Sequence, residues 1–224
     1  MSKEKTRIIA GIDEAGRGSL VGPLVVAAVA LPPSKVRALK ALGVKDSKQL
    51  SREKRETIYY ELANLCPIIE SIQIPPSMID RYTRRLGGPG INTLEAIAAA
   101  DLIKKISPDI VYIDSPTRVA GEFAKMIKSR LGEPSCVIIC EHGADASRLV
   151  VSAASIIAKV LRDNAIKNLK NILGDFGSGY PSDKKTTSTI KKLLFIDKEI
   201  SRYIRMSWRT LDSIQPSLDE YVED

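Results

Sequence analysis

Acidic residues recur in this chain where short apolar runs stop. Asp13 and Glu14 close the run at 7–13, Asp114 closes 109–114, and Asp145 follows 136–140 by a few residues. A single aspartate at a strand end commonly does no more than cap a turn. Four carboxylates drawn to one sheet edge would repel one another, and such clusters persist mainly where divalent cations neutralise them. Oxygen-only ligands select a hard ion, Mg2+ or Mn2+, over zinc. No nucleophile–base pair accompanies these acids, so the economical chemistry is in-line attack of a metal-activated water on a phosphodiester, a second metal stabilising the leaving oxygen. Asp13 and Glu14 are adjacent, and neighbours on an extended chain face opposite ways, so only a bend lets both serve one site. Ala15-Gly16-Arg17-Gly18 supplies a flexible segment for it. These glycines also let backbone amides approach a ligand closely, although a tight turn with a solvated arginine is the plainer reading. The segment lacks the spacing of a phosphate-binding P-loop.

The elements that must position these residues alternate. Residues 7–13 (RIIAGID) and 24–31 (LVVAAVAL) are short and β-branched, flank a stretch rich in glycine and proline, and predict two strands joined as a hairpin. A polar helix opens at 50–51 and runs to about 65, and 67–74 alternates as a half-buried strand. After GGPG at 87–90, Ile91, Leu94, Ala98 and Leu102 share one helical stripe. Strand 109–114, a charged helix over 119–131 and strand 136–140 then suggest parallel pairing. A long helix is expected from Ser147, with Val151, Ala154, Ala158, Leu161, Ala165 and Leu169 on one face. Beyond Gly174 the texture changes to GDFGSGYPSDKK and a basic helical stretch over 187–205, so the chain divides into a core at 1–173 and a carboxy-terminal region at 174–224.

With 44% hydrophobic and 27% charged residues, the 224-residue chain can bury one substantial core. Its formal net charge of +7 suits a polyanionic partner but does not by itself demand one. Three cysteines, none at zinc-ligand spacing, suit a reduced interior, and Cys136 and Cys140 read as core thiols. The charged start MSKEKTR and the shortness of the longest apolar run predict a cytoplasmic protein.

GIDEAGRGS at 11–19 closely resembles the opening signature of the ribonuclease HII family. KDSKQLS at 45–51, YIDSP at 112–116, HGADASRLVVSAASIIAKVLRD at 142–163 and GSGYPSD at 177–183 follow in the family's order, the last in its archaeal form. The resemblance implies a ribonuclease H-like α/β fold, a five-stranded mixed sheet flanked by helices, with a helical carboxy-terminal extension that helps hold substrate. It implies metal binding and catalysis by Asp13, Glu14, Asp114 and Asp145. It implies recognition of a 2′-hydroxyl by the loop Gly16, Arg17 and Gly18, a phosphate contact from Lys48, and packing of Tyr180 on a sugar beside the scissile ribonucleotide. The activity it implies is cleavage of RNA in RNA–DNA hybrids and nicking 5′ of single ribonucleotides embedded in duplex DNA, by two Mg2+ or Mn2+ ions, leaving 3′-hydroxyl and 5′-phosphate ends. The partner is then the hybrid or ribonucleotide-containing duplex and the protein a monomer; a replication sliding clamp is a further candidate that the residues do not derive.

Three departures stand against the family pattern: Ser19 where proline is usual, Gly143 where archaeal members often have lysine, and Ser147-Arg148-Leu149 where they often read lysine-tyrosine-proline. None touches an acid. His142, the only histidine, reads as structural. Two other classes compete, a silent nucleic-acid-binding protein on the same fold and an unrelated metal-dependent phosphatase or nuclease. The presence of all four acids argues against the silent one.

Overall fold

The computed structural model of the chain describes residues 7–44 and 50–213. Among them, β1 (Ile9–Ala15), β2 (Leu24–Leu31), β3 (Ile68–Ile74), β4 (Ile110–Asp114) and β5 (Val137–Glu141) form one five-stranded sheet in the order β3-β2-β1-β4-β5. β1 pairs antiparallel with β2 from Ile9↔Leu31 to Ala15↔Val25, whereas β1–β4 and β4–β5 are parallel. The sheet is therefore mixed, as expected. Every residue of β2 is buried, which is why its sequence is an unbroken apolar run rather than an alternating one.

Helices α1 (Val36–Ala41), α2 (Arg52–Leu65), α3 (Pro76–Tyr82), α4 (Ile91–Ile106), α5 (Ala120–Leu131), α6 (Ala144–Ser147), α7 (Leu149–Leu173) and α8 (Lys184–Ile196) complete the regular structure. The helix expected from Ser147 is interrupted at once, because Arg148 takes an extended conformation and separates α6 from α7. The basic helix expected over 187–205 begins earlier and stops sooner. Asp183 caps α8 by accepting from Lys185 N, and Asp197 ends it by leaving the helical region and capping a short 3-10 helix at Lys198–Tyr203.

The described residues divide between two compact units. One draws on Met1–Ala15, Val25–Gln73 and Asn92–Leu161, the other on Gly16–Leu24, Ile74–Ile91 and Arg162–Asp224. The division falls inside α7, ahead of the Gly174 boundary read from sequence. In the first unit Val25, Ala27, Val29 and Leu31 of β2 pack with Val151, Ala154, Ile157 and Ala158 of α7. The small residues of α7 permit close approach: a methyl on Gly11 of β1 would overlap the main chain of Val150 and Val151. The second unit has its own core of Leu20, Ile166, Leu169, Phe176, Ile190 and Ile204. No described helix is long and apolar enough to cross a membrane.

Candidate active site

The carboxylates belong to the sheet unit. The parallel register Ile12↔Ile113 makes Asp13 and Asp114 the next residues along neighbouring strands. Asp13 is only 5% exposed. Its Oδ1 accepts from Glu14 N at 2.8 Å, Ser155 hydrogen-bonds to it, and Lys159 Nζ donates to Ser155 Oγ at 2.9 Å. Burial pushes the Asp13 carboxyl up to about 6, with the Asp114 charge adding to the effect, while Ser155, the Glu14 amide and Lys159 pull the other way. Asp114 Oδ1 accepts from Ala144 N at 2.9 Å, which ties the end of β4 to the turn carrying Asp145. Asp145 is buried in α6, and its carbonyl accepts from Ser152 Oγ.

Asp13 and Asp114 are thus brought together, and Asp145 is joined to them through its neighbour Ala144. The ladder with β2 continues through Ala15, so the backbone of β1 is still extended at Glu14. Among the described residues no three His, Cys, Asp or Glu side chains stand ready-assembled around an ion position. The Asp13–Asp114 pair still fits a hard cation, because its donors are all oxygen and a cation would relieve both burial and repulsion.

Gly16, Arg17, Gly18 and Tyr180 lie in the second unit. Gly16 is buried with φ +84, and a Cβ there would meet Pro23 O at 2.8 Å, so glycine is required. At exposed Gly18 a Cβ would meet nothing within 4 Å, so the fold itself makes no demand for glycine at that position. Tyr180 is half-buried beneath the Arg162 guanidinium, 4.6 Å from ring centroid to Cζ, and Arg162 donates to Ser178 O at 2.9 Å. Lys48 lies outside the described residues.

The sequence model of the family described as Ribonuclease HII matches residues 10–211. A Ribonuclease HII of Thermococcus sibiricus is 41% identical over 95% of this chain and 93% of its own length. The crystal structure of ribonuclease H2 from Pyrococcus horikoshii is 35% identical and superposes with a TM-score of 0.85 over 97% of this chain and all of that one. A ribonuclease HII of Archaeoglobus fulgidus, solved in complex with PCNA, is 38% identical with a TM-score of 0.81 over 95% of this chain and 99% of that one. The chain belongs to the ribonuclease HII family. It is an endonuclease of the ribonuclease H type, and its sheet carries the ribonuclease H-like fold.

Against the ribonuclease HII pattern, Ser19, Gly143 and Arg148 each have a local account. Buried Ser19 donates both N–H and Oγ–H to Gly16 O, at 3.2 and 2.9 Å, the first of which proline cannot do. Gly143 sits at φ 63, where glycine is free of the strain a lysine would carry. Arg148 donates from one guanidinium edge, Nε and Nη2, to both carboxylate oxygens of Glu141 at 2.9 and 2.7 Å and lies over Tyr112. His142 is exposed, with Nε2 against Arg118 O at 3.0 Å. Ser155 and Lys159 were missed from sequence, although a polar pair at i, i+4 amid the small residues of α7 was the available signal. Arg205, beyond the last motif, gave no signal.

Proposed function

We propose that this chain cleaves the RNA strand of RNA–DNA hybrids and nicks duplex DNA 5′ of an embedded ribonucleotide, leaving 3′-hydroxyl and 5′-phosphate ends. The observation that carries this reading is the pairing of buried Asp13 with half-buried Asp114 at adjacent parallel strand ends, a negative charge set whose natural complement is a hard divalent ion. Asp13, Asp114 and Asp145 would hold Mg2+ or Mn2+, with Glu14 as the fourth ligand. When bound, two such ions supply an activated water and stabilise the leaving oxygen. Ser155 and Lys159 keep Asp13 oriented, and Ala144 N keeps Asp114 from turning away.

Gly16, Arg17 and Gly18 would sense the 2′-hydroxyl, Lys48 a phosphate, and Tyr180 the neighbouring sugar, with residues 174–224 holding the duplex. Since the Archaeoglobus fulgidus relative is solved with PCNA, a sliding clamp is the proposed protein partner. The deciding measurement is cleavage of an RNA–DNA hybrid beside matched double-stranded RNA and double-stranded DNA, with and without Mg2+ or Mn2+. Only the hybrid should be cut, and only with metal. Asp114→Asn should lower turnover by at least about 100-fold while leaving hybrid binding in place, because one ligand is lost and the basic surface is not. Near-normal turnover of that variant at saturating Mg2+ would remove Asp114 from the site.

A further inference from the structure

Arg205 is fully buried, and its guanidinium is spent on main-chain carbonyls of one loop. NH1 donates to Arg17 O and NH2 to Gly16 O, each at 2.6 Å, while Nε and NH2 reach Gly22 O at 3.4 and 3.3 Å. The guanidinium also lies over Trp208, 5.0 Å from the ring centroid. A planar fork holds three carbonyls in one fixed geometry, which the rotatable donors of an ammonium do not. Ser19 adds its two donors to the same Gly16 oxygen.

The segment bearing Arg205 is itself tied down. Arg205 N donates to Leu20 O and Gly22 N to Tyr203 O, both at 2.9 Å. Asp80 of α3 accepts from Met206 N, Ser207 N and Ser207 Oγ at 2.9, 3.0 and 2.6 Å. From the other side Gly179 O accepts from Leu20 N and Val21 N at 2.8 and 3.1 Å, so the turn carrying Tyr180 and the glycine loop are knit together.

Among the described residues there is no cis peptide, and in a trans peptide the N–H points opposite to the preceding carbonyl. Holding the Gly16 and Arg17 carbonyls on the guanidinium therefore turns the amides of Arg17 and Gly18 away from it, at the very loop where exposed Gly18 leaves room for an approaching atom. We propose that Arg205 is a positioning residue for substrate selection: by fixing these two carbonyls it sets the backbone of the loop that meets a ribose 2′-hydroxyl. The inference rests on the hybrid-cleaving function proposed above.

The test compares Arg205→Lys and Arg205→Ala with the unaltered enzyme, by steady-state cleavage of an RNA–DNA hybrid with Mg2+ and by inhibition from an all-DNA duplex of the same sequence. Loss of the loop's set should raise KM for the hybrid roughly tenfold with kcat changed far less, while Ki for the DNA duplex stays within about twofold. Millimolar guanidinium, but not ammonium, should restore part of the KM of Arg205→Ala. If KM and Ki rise in proportion, or the hybrid KM does not move, Arg205 supports the fold alone and the inference falls. Should neither variant fold, Asp80→Ala decides, since it frees the segment without touching the guanidinium: a raised hybrid KM at constant DNA Ki supports the inference, and an unchanged ratio overturns it. Failure of the unaltered enzyme to cut the hybrid would count against the proposed function instead.

Discussion

At the residue scale, the juxtaposition of Asp13 and Asp114 was legible because both follow apolar runs that pair in parallel: one aspartate at a strand end commonly caps a turn, but several recurring there are harder to assign to capping. Their environment was not readable. The i, i+4 spacing of Ser155 and Lys159 marks them as a polar pair but not as the brace of Asp13, since that contact is made across the gap between a strand and a helix. The physical consequence is measurable without substrate. Asp13 titrates near 6 in the fold against about 3.8 unfolded, so its contribution to stability is full below the unfolded value and is lost as pH rises through 6. In metal-free protein Asp13→Asn should therefore raise Tm at pH 7.5, by roughly 3–8 °C, and change it little at pH 4. Equal shifts at both pH values would trace the effect to something other than the charge. Tyr180 offers a second residue-level check. With the Arg162 guanidinium over its ring, it can present an aromatic face to a sugar. Tyr180→Phe should keep most activity, whereas Tyr180→Ala should lose about tenfold more on a single-ribonucleotide duplex than on a uniform hybrid. Equal losses with a lowered Tm would make the ring a structural anchor.

At the element scale, strand positions followed from β-branched runs, and the parallel pairing from strand, helix, strand order. What misled was helix extent. Residues 187–205 have helical composition throughout, but Asp197 has a competing use for its side chain, to accept from Glu199 N and start a new turn. Likewise no periodicity marks Arg148 as the break between α6 and α7. The closeness of α7 to the sheet was hinted at by its small residues, and its cost is concentrated at Gly11. Gly11→Ala forces the main chain of Val150 off β1 and should destabilise by about 1–3 kcal/mol, seen as a lowered denaturation midpoint. Gly18→Ala meets no such neighbour and should melt with the unaltered protein while losing hybrid turnover, so the two glycines separate packing from recognition.

At the scale of the whole molecule, the net charge of +7 predicts how binding responds to salt rather than what is bound. Hybrid affinity should fall by tenfold or more between ~50 and ~200 mM salt, and Lys48→Ala should flatten the log–log slope by about one. An unchanged slope would take Lys48 away from phosphate. Chain order adds a constraint of a different kind. All four acids are made by residue 145, whereas the guanidinium that holds the glycine loop comes from 188 and 189 positions beyond the carbonyls it binds. If Arg205 sets that loop as proposed, a growing chain possesses its cutting groups well before the part that lets it choose a strand. A product ended short of Arg205 would then carry all four carboxylates without the guanidinium that fixes the Gly16 and Arg17 carbonyls.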